Sequence, residues 1–190
     1  RAHTTAALAS ADRMTRPDQS VARVIRPSRA AVSECPSEGE VVGQFSRQEI
    51  EDAYEHYRAV AAESGRTGNW DPWADCFTED AEYFEHLYGK FSGREAIRAW
   101  ITATMAEYPN NEMTEFPADW WVIDEERGWV VCAVWNRMQD IGDGEVHQAI
   151  NWSLLKYAGN NLWSYEEDIY NVSEFADAVG GYLKSKKAQA

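Results

Sequence analysis

Charge-free stretches are short throughout this 190-residue chain. No apolar run approaches the ~20 residues that cross a bilayer, so a soluble, cytoplasmic protein with no membrane partner is expected. Cysteine is scarce: Cys35, Cys76 and Cys132 are odd in number, widely spaced and form no C-x-x-C pair, which argues against a disulfide framework or a structural zinc site. Cys76 and Cys132 sit among apolar neighbours and read as small buried hydrophobes rather than nucleophiles. Basic residues are few. With 18 Lys and Arg against 32 Asp and Glu the formal charge is −14, whereas nucleic-acid binding needs cations clustered to neutralise phosphate, so no nucleic acid is expected as a partner. No glycine-rich phosphate loop stands at a strand-to-helix turn and no H-x-x-x-H occurs; the expectation is no cofactor and no metal.

Apolar residues make up 44% of the chain and aromatics 13%, enough for one ordinary core but not for two domains of useful size. Residues 1–44 differ from the rest in kind. They hold no aromatic, six arginines and five acids among Ala, Ser and Pro, and are expected to be a disordered extension. The chain begins with Arg1, for which a fragment, a processed product and a mis-assigned start are all open readings. Residues 45–183 form the expected domain, and 184–190 a disordered tail. Ser46-Arg47-Gln48-Glu49 has the spacing of a capping box with Phe45 as its staple, and Ile50, Ala53, Tyr54, Tyr57, Val60 and Ala61 then recur at helical spacing. Asp71-Pro72 opens a second short helix. Beyond it the period falls to two: strands are predicted over Trp120–Asp124, Gly128–Gln139, Glu145–Tyr157 and Leu162–Tyr170, then a cap at Asn171 and a helix through about Leu183.

Between Asn69 and Trp100 a short helix ending at Cys76-Phe77 leads through a Thr-Glu-Asp turn into a predicted strand, Ala81–Tyr88. A tight turn at Gly89-Lys90 follows, and Gly93-Arg94-Glu95-Ala96-Ile97 opens another helix. Together with FTEDAEYFEH and the closing strand LWSYEEDIYN, this layout resembles the SnoaL-like branch of the nuclear transport factor 2-like superfamily, over about Phe45 to Phe175. The resemblance implies an α+β, cone-shaped fold: a curved, mostly antiparallel sheet packed by about three N-terminal helices, with a short C-terminal helix, enclosing a pocket for an apolar small molecule and pairing into homodimers. Relatives include ketosteroid isomerase, scytalone dehydratase and polyketide cyclases. The fold hosts several chemistries as well as binding modules, so it implies a pocket without naming a reaction.

Carried over residue by residue, the general base of ketosteroid isomerase falls on Glu85, and a carboxylate in an apolar pocket has its pKa raised toward the range useful for moving a proton. The alternative is a solvated strand-end glutamate. The oxyanion-binding tyrosine falls on Tyr57, with Tyr54 one turn earlier; the alternative is a pair of core aromatics. The second oxyanion donor falls near Ser153, a weaker donor than a neutral carboxylic acid. Limonene epoxide hydrolase relatives use an Asp-Arg-Asp group, which Arg137, Asp140 and Asp168 match only loosely.

Period-two spacing puts His147, Asn151 and Ser153 on one strand face, although His147 at the strand start could equally be exposed. His86 follows Glu85 and faces the other way in a regular strand. On the last strand either Glu167, with Trp163 and Tyr165, or Glu166 and Asp168, with Tyr170, face the cavity. Nine tryptophans exceed what a core needs as filler; some line a cavity and others a dimer face. The expected catalytic set is Glu85, Tyr57, His147 and Asp168, and the substrate-binding set Tyr54, Trp73, Tyr83, His86, Trp100, Trp135, Asn151 and Ser153. Two readings follow: a cofactor-free isomerase, cyclase or dehydratase acting on an apolar oxygenated compound (polyketide-, steroid- or terpenoid-like), or a non-catalytic binding or dimerisation module.

Overall fold

The first helix starts where its capping box predicts. Ser46 holds extended backbone and its hydroxyl accepts from the Glu49 N–H at 3.2 Å, so α1 runs Arg47–Thr67. Gly68, in the left-handed region, ends it by donating its N–H to the Ser64 carbonyl at 2.8 Å. The structure, a computed structural model, describes residues 43–190; the expected disordered extension falls outside them except for its last two residues. Helix α2 is a single turn, Asp71–Ala74, with Pro72 in its first turn, and α3 covers Arg94–Ala106 after Gly93. Among the described residues no helix is long and apolar enough to cross a membrane.

Seven strands form one mixed sheet: β1 Phe77–Glu85, β2 Gly89–Ser92, β3 Met113–Glu115, β4 Ala118–Asp124, β5 Trp129–Met138, β6 Gln148–Gly159 and β7 Leu162–Tyr170. Their order is β2-β1-β7-β6-β5-β3, and β4 also pairs with β5, continuing the edge that β3 begins. Among the described residues only the β1–β7 pair is parallel. The fold is α+β and mixed, with a curved sheet. One face of the sheet is covered by α1 and α3, and Ile50, Tyr54, Ile97, Phe77, Val130, Leu155 and Trp163 are fully buried between them.

Several boundaries differ from the sequence reading. Strand β1 starts at Phe77 rather than Ala81: Phe77 pairs with Trp163 of β7, and the Thr-Glu-Asp stretch expected to turn is carried within the strand as an irregularity between Phe77 and Glu82. It ends at Glu85, and the turn falls on residues 86–88, so Gly89 and Lys90 open a strand instead of making the turn. The C-terminal helix α4 spans Val172–Ala188, five residues past Leu183. The expected tail is thus mostly helix, held by Lys186, which pairs with Glu112.

Candidate functional site

Alternation along β1 points Ala81, Tyr83 and Glu85 to the covered face, and the same rule on β6 points Asn151 and Ser153 there. On β7 the buried member of the acidic run is Glu166, and Asp168 shares its face. Glu167 points away and pairs with His86 at 2.9 Å. Register brings these residues side by side: Tyr83 lies opposite Glu166, and Asp168 lies between Glu85 on β1 and Ser153 on β6. Trp163 breaks the expected parity. It is fully buried although Glu167 is not, because the β6–β7 pairing shifts between Lys156 and Tyr157 and again before Gly159.

A tyrosine serves each carboxyl. Tyr57 on α1 donates to Glu166 Oε2 at 2.7 Å. Tyr83 and Ser153 both donate to Asp168, and Asn151 Nδ2 reaches its Oδ1 at 3.1 Å and the Ser153 Oγ at 2.9 Å. Asn136 on β5 in turn donates to the Asn151 side-chain oxygen. Glu85 Oε2 accepts from the backbone N–H groups of Leu87 (2.7 Å) and Tyr88, closing the turn that follows β1, and its charge helps to raise the neighbouring Tyr170 phenol after burial. Among the described residues, no ion pair involves Glu85, Glu166 or Asp168.

The consequence is electrostatic. Burial, and then the charge of Asp168, push the Glu166 carboxyl well above the usual range, against the pull of the Tyr57 hydroxyl. Burial raises Asp168 to about 6, because its bonds to Ser153, Tyr83 and Asn151 oppose the rise and the neighbouring Glu85 adds to it. Tyr57 and Tyr83 are raised well above the phenol range by burial and then by these carboxyls. Two carboxyls two residues apart on one strand face are thus both raised, Glu166 well above the usual carboxylate range and Asp168 to about 6.

The walls are aromatic. Trp73 packs against Phe77 (4.9 Å between ring centroids), Tyr57 and Tyr83, and Trp100 packs against Tyr83 (4.9 Å) and Phe91. Tyr54 stacks beside Tyr57 and meets Trp163 edge-on. The Tyr54 hydroxyl and the indole N–H groups of Trp100 and Trp163 are buried without a hydrogen-bond partner among the described residues. Two clefts of roughly 700 and 400 Å³ border α1, and neither is lined by the carboxyl cluster. Among the described residues no three His, Cys, Asp or Glu side chains converge as metal ligands would.

The structure thus brings together Tyr54, Tyr57, Trp73, Tyr83, Glu85, Trp100, Asn151, Ser153 and Asp168. It leaves three expected residues elsewhere. His147 precedes β6 and binds Asp143 through Nε2 at 2.8 Å while its ring packs on Tyr182 of α4. His86 lies on the other sheet face, stacked on Phe84. Trp135 also faces away, its indole N–H bonded to Asp119 at 3.3 Å. The Asp-Arg-Asp group is not assembled: Arg137 is bonded to Glu115 and Gln148, and Asp140 caps the turn at Gly142. Glu166 is the residue that strand parity left as one of two options, and only the pairing of β7 with β1 and β6 decides it.

A sequence profile of the SnoaL-like domain matches residues 51–149, just over half of the chain. No curated protein matches it. Among solved structures, a nuclear transport factor 2-like protein from Anabaena variabilis superposes with a TM-score of 0.52 at 14% identity, over 68% of this chain and 96% of that one. A protein with a ketosteroid isomerase-like fold from Catenulispora acidiphila gives 0.53 at 20% identity, over 72% and 95%. An epoxide hydrolase of M. tuberculosis, similar to limonene epoxide hydrolase, gives 0.53 at 10% identity, over 75% and 98%. At these identities the likeness is one of fold.

Proposed function

Since the chain belongs to the SnoaL-like domain family, we propose that its buried carboxyl pair performs cofactor-free proton transfer on an apolar, oxygenated small molecule, in an isomerisation, a cyclisation or a dehydration. The observation that carries this reading is geometric: Glu166 and Asp168 share one covered strand face, the first held by the Tyr57 hydroxyl and the second by those of Tyr83 and Ser153, and burial raises both carboxyls. Asp168 is the base: ionised at neutral pH, it takes a proton from the carbon beside a carbonyl. Glu166 is the donor. Its acid proton, with Tyr57 fixing the other oxygen, stabilises the oxygen on which negative charge develops. The proton then returns from Asp168 to a different carbon, or a leaving hydroxyl departs as water.

These roles revise the expected set in two respects. Glu85 becomes the acceptor that closes the 86–88 turn and biases Asp168, in place of the base. The strong second donor missing at Ser153 is supplied by Glu166. The aromatic walls suit a ring-bearing compound, and orphaned donors at Trp100, Trp163 and Tyr54 offer partners for its oxygens.

The test begins with tryptophan fluorescence of the full chain against a panel of ring-containing carbonyl compounds, followed by turnover of those that bind. Asp168→Asn is expected to lower kcat by a hundredfold or more, about the range for loss of a general base, with Glu166→Gln and Tyr57→Phe falling between it and the parent. A compound turned over equally well by Asp168→Asn would remove this reading. A second reading, a non-catalytic binding module, is favoured by the dense packing of the interior, and binding without conversion of any compound would select it. We further propose that the protein is a homodimer joined through the outer sheet face, where Trp120, Val122, Trp152 and Ile169 are exposed.

A further inference from the structure

Most of the carboxyl cluster is closed off: Glu85, Glu166, Tyr57 and Tyr83 are buried and Asp168 is part-buried, so a ligand can engage Glu166 and Asp168 together only if something moves. We infer that α4 is the strap across the entrance to this site and that ligand enters when its C-terminal half lets go. The inference rests on the reading of Glu166 and Asp168 as the reacting pair, and adds to it the route by which that pair is reached.

The path of α4 follows from its contacts. It leaves β7 at Asn171, whose side chain caps it, and its Phe175 packs at 4.5 Å on Tyr170, the last residue of β7. Ten residues after Val172, Tyr182 is bonded to Gln139 (3.0 Å), just past β5, and to Glu112 (2.7 Å), just before β3. Ten residues of helix advance about 15 Å, and three strand spacings from β7 to β3 span about 14 Å. The helix therefore crosses the ends of β7, β6 and β5 to the far edge. It does so on the inner side, since the ring it covers at the start of β6 is that of His147, which shares the parity of Ala149, Asn151 and Ser153. Releasing Tyr182 uncovers that row in order: Ala149, then Asn151, then Asp168, to which Asn151 is bonded.

Its attachment is that of a strap rather than a core helix. Of its seventeen residues only Tyr182 is buried. Gly180 and Gly181 lie in its interior, where glycine weakens a helix. Gly181 is needed for close approach, because a Cβ there would lie 3.3 Å from His147 Nδ1, whereas a Cβ at Gly180 meets nothing within 4 Å. Beyond the pair, the last turns are fastened by polar groups: Lys186 and Tyr182 both on Glu112, and His147 on Asp143 below. A few part-buried polar contacts past a weak point, on a helix with one buried side chain, form a unit that opens locally at low free energy.

The experiment is carboxyl footprinting of the full chain with a water-soluble carbodiimide and glycine ethyl ester at pH 6, read by mass spectrometry, with amide exchange of β5 and β6 followed alongside. Glu112→Gln, which removes the charge that holds Lys186, is expected to raise labelling of Asp168 about two- to fivefold. Gly180→Ala, which stiffens the helix without a clash, is expected to lower it about fivefold. Equal labelling of Asp168 in all three proteins overturns the inference. So does a rise in labelling matched by faster exchange throughout β5 and β6, because global unfolding would then be the route. The readout does not depend on turnover. If both variants respond while Asp168→Asn retains activity, the strap stands and the acid–base reading falls; if compounds bind while neither variant responds, the strap falls and that reading stands.

Discussion

At Asp168 the cost of ionisation and the proposed work are the same quantity. The group is at about 6 in the folded chain against about 3.9 when solvated. The folded state therefore holds more protons than the unfolded one between those values, and stability falls as pH rises through that window. The loss is on the order of 2–3 kcal/mol by the linkage relation, and Glu166, raised as well, adds to the fall. Asp168→Asn, which cannot ionise, should gain on the parent by this amount between pH 4 and pH 7 in denaturant titrations; a gap that stays constant across that range would show that Asp168 titrates normally. Tyr57→Phe removes the one side-chain hydrogen bond to the buried Glu166 among the described residues and should cost about 1–3 kcal/mol at pH 5, measured in the same way. Glu85, Tyr57 and Ser153 were named from the resemblance, whereas strand parity left Glu166 and Asp168 together as one of two options on the last strand. That choice and the turn-closing role of Glu85 were not legible, because both depend on which strands lie beside β7, and neighbours in a mixed sheet are not written in any local pattern.

The elements were legible where one force sets them and illegible where two compete. Helix α1 shows both cases. Its cap and apolar stripe are local and were read correctly, but its closest approach to the sheet is not: a Cβ on Gly65 would lie 2.6 Å from the Thr114 carbonyl oxygen and 2.7 Å from the Phe116 ring. The small residue lets α1 sit directly on the chain that joins β3 to β4, neither end of which can yield without breaking pairing with β5. Gly65→Ala should therefore destabilise the domain by about 1–3 kcal/mol despite its better helix propensity. A thermal melt that moves upward would mean that the contact is slack. Strands β2 and β3, of four and three residues, escaped notice because each is too short to show alternation. In β7 the shift near Trp163 trades regular pairing for burial of the largest side chain in the core, a choice made by packing against Tyr54 and Tyr157.

Across the domain as a whole the two sheet faces divide the aromatic residues. The covered face takes Trp73, Trp100 and Trp163 with the carboxyl pair, while Trp120 and Trp152 meet at 5.3 Å on the other face, beside Val122 and Ile169. Trp152 is 55% exposed and Ile169 56%, on adjacent strands and in register with each other, so the apolar surface is contiguous rather than scattered. Such a patch on a monomer in water costs free energy that a second copy recovers. Opposing it is the net charge of −14 on each chain, a repulsion that acts over about 10 Å at 0.1 M salt and less as salt rises. The two effects make a joint prediction. Sedimentation equilibrium should give twice the chain mass, with association that tightens as salt is raised, since screening removes the repulsion and leaves burial intact. Trp152→Glu should yield monomers, because it sets a charge that must be desolvated in the middle of the apolar patch. A dimer that loosens with salt, or one indifferent to Trp152→Glu, would place the interface elsewhere and leave the outer face for a different partner.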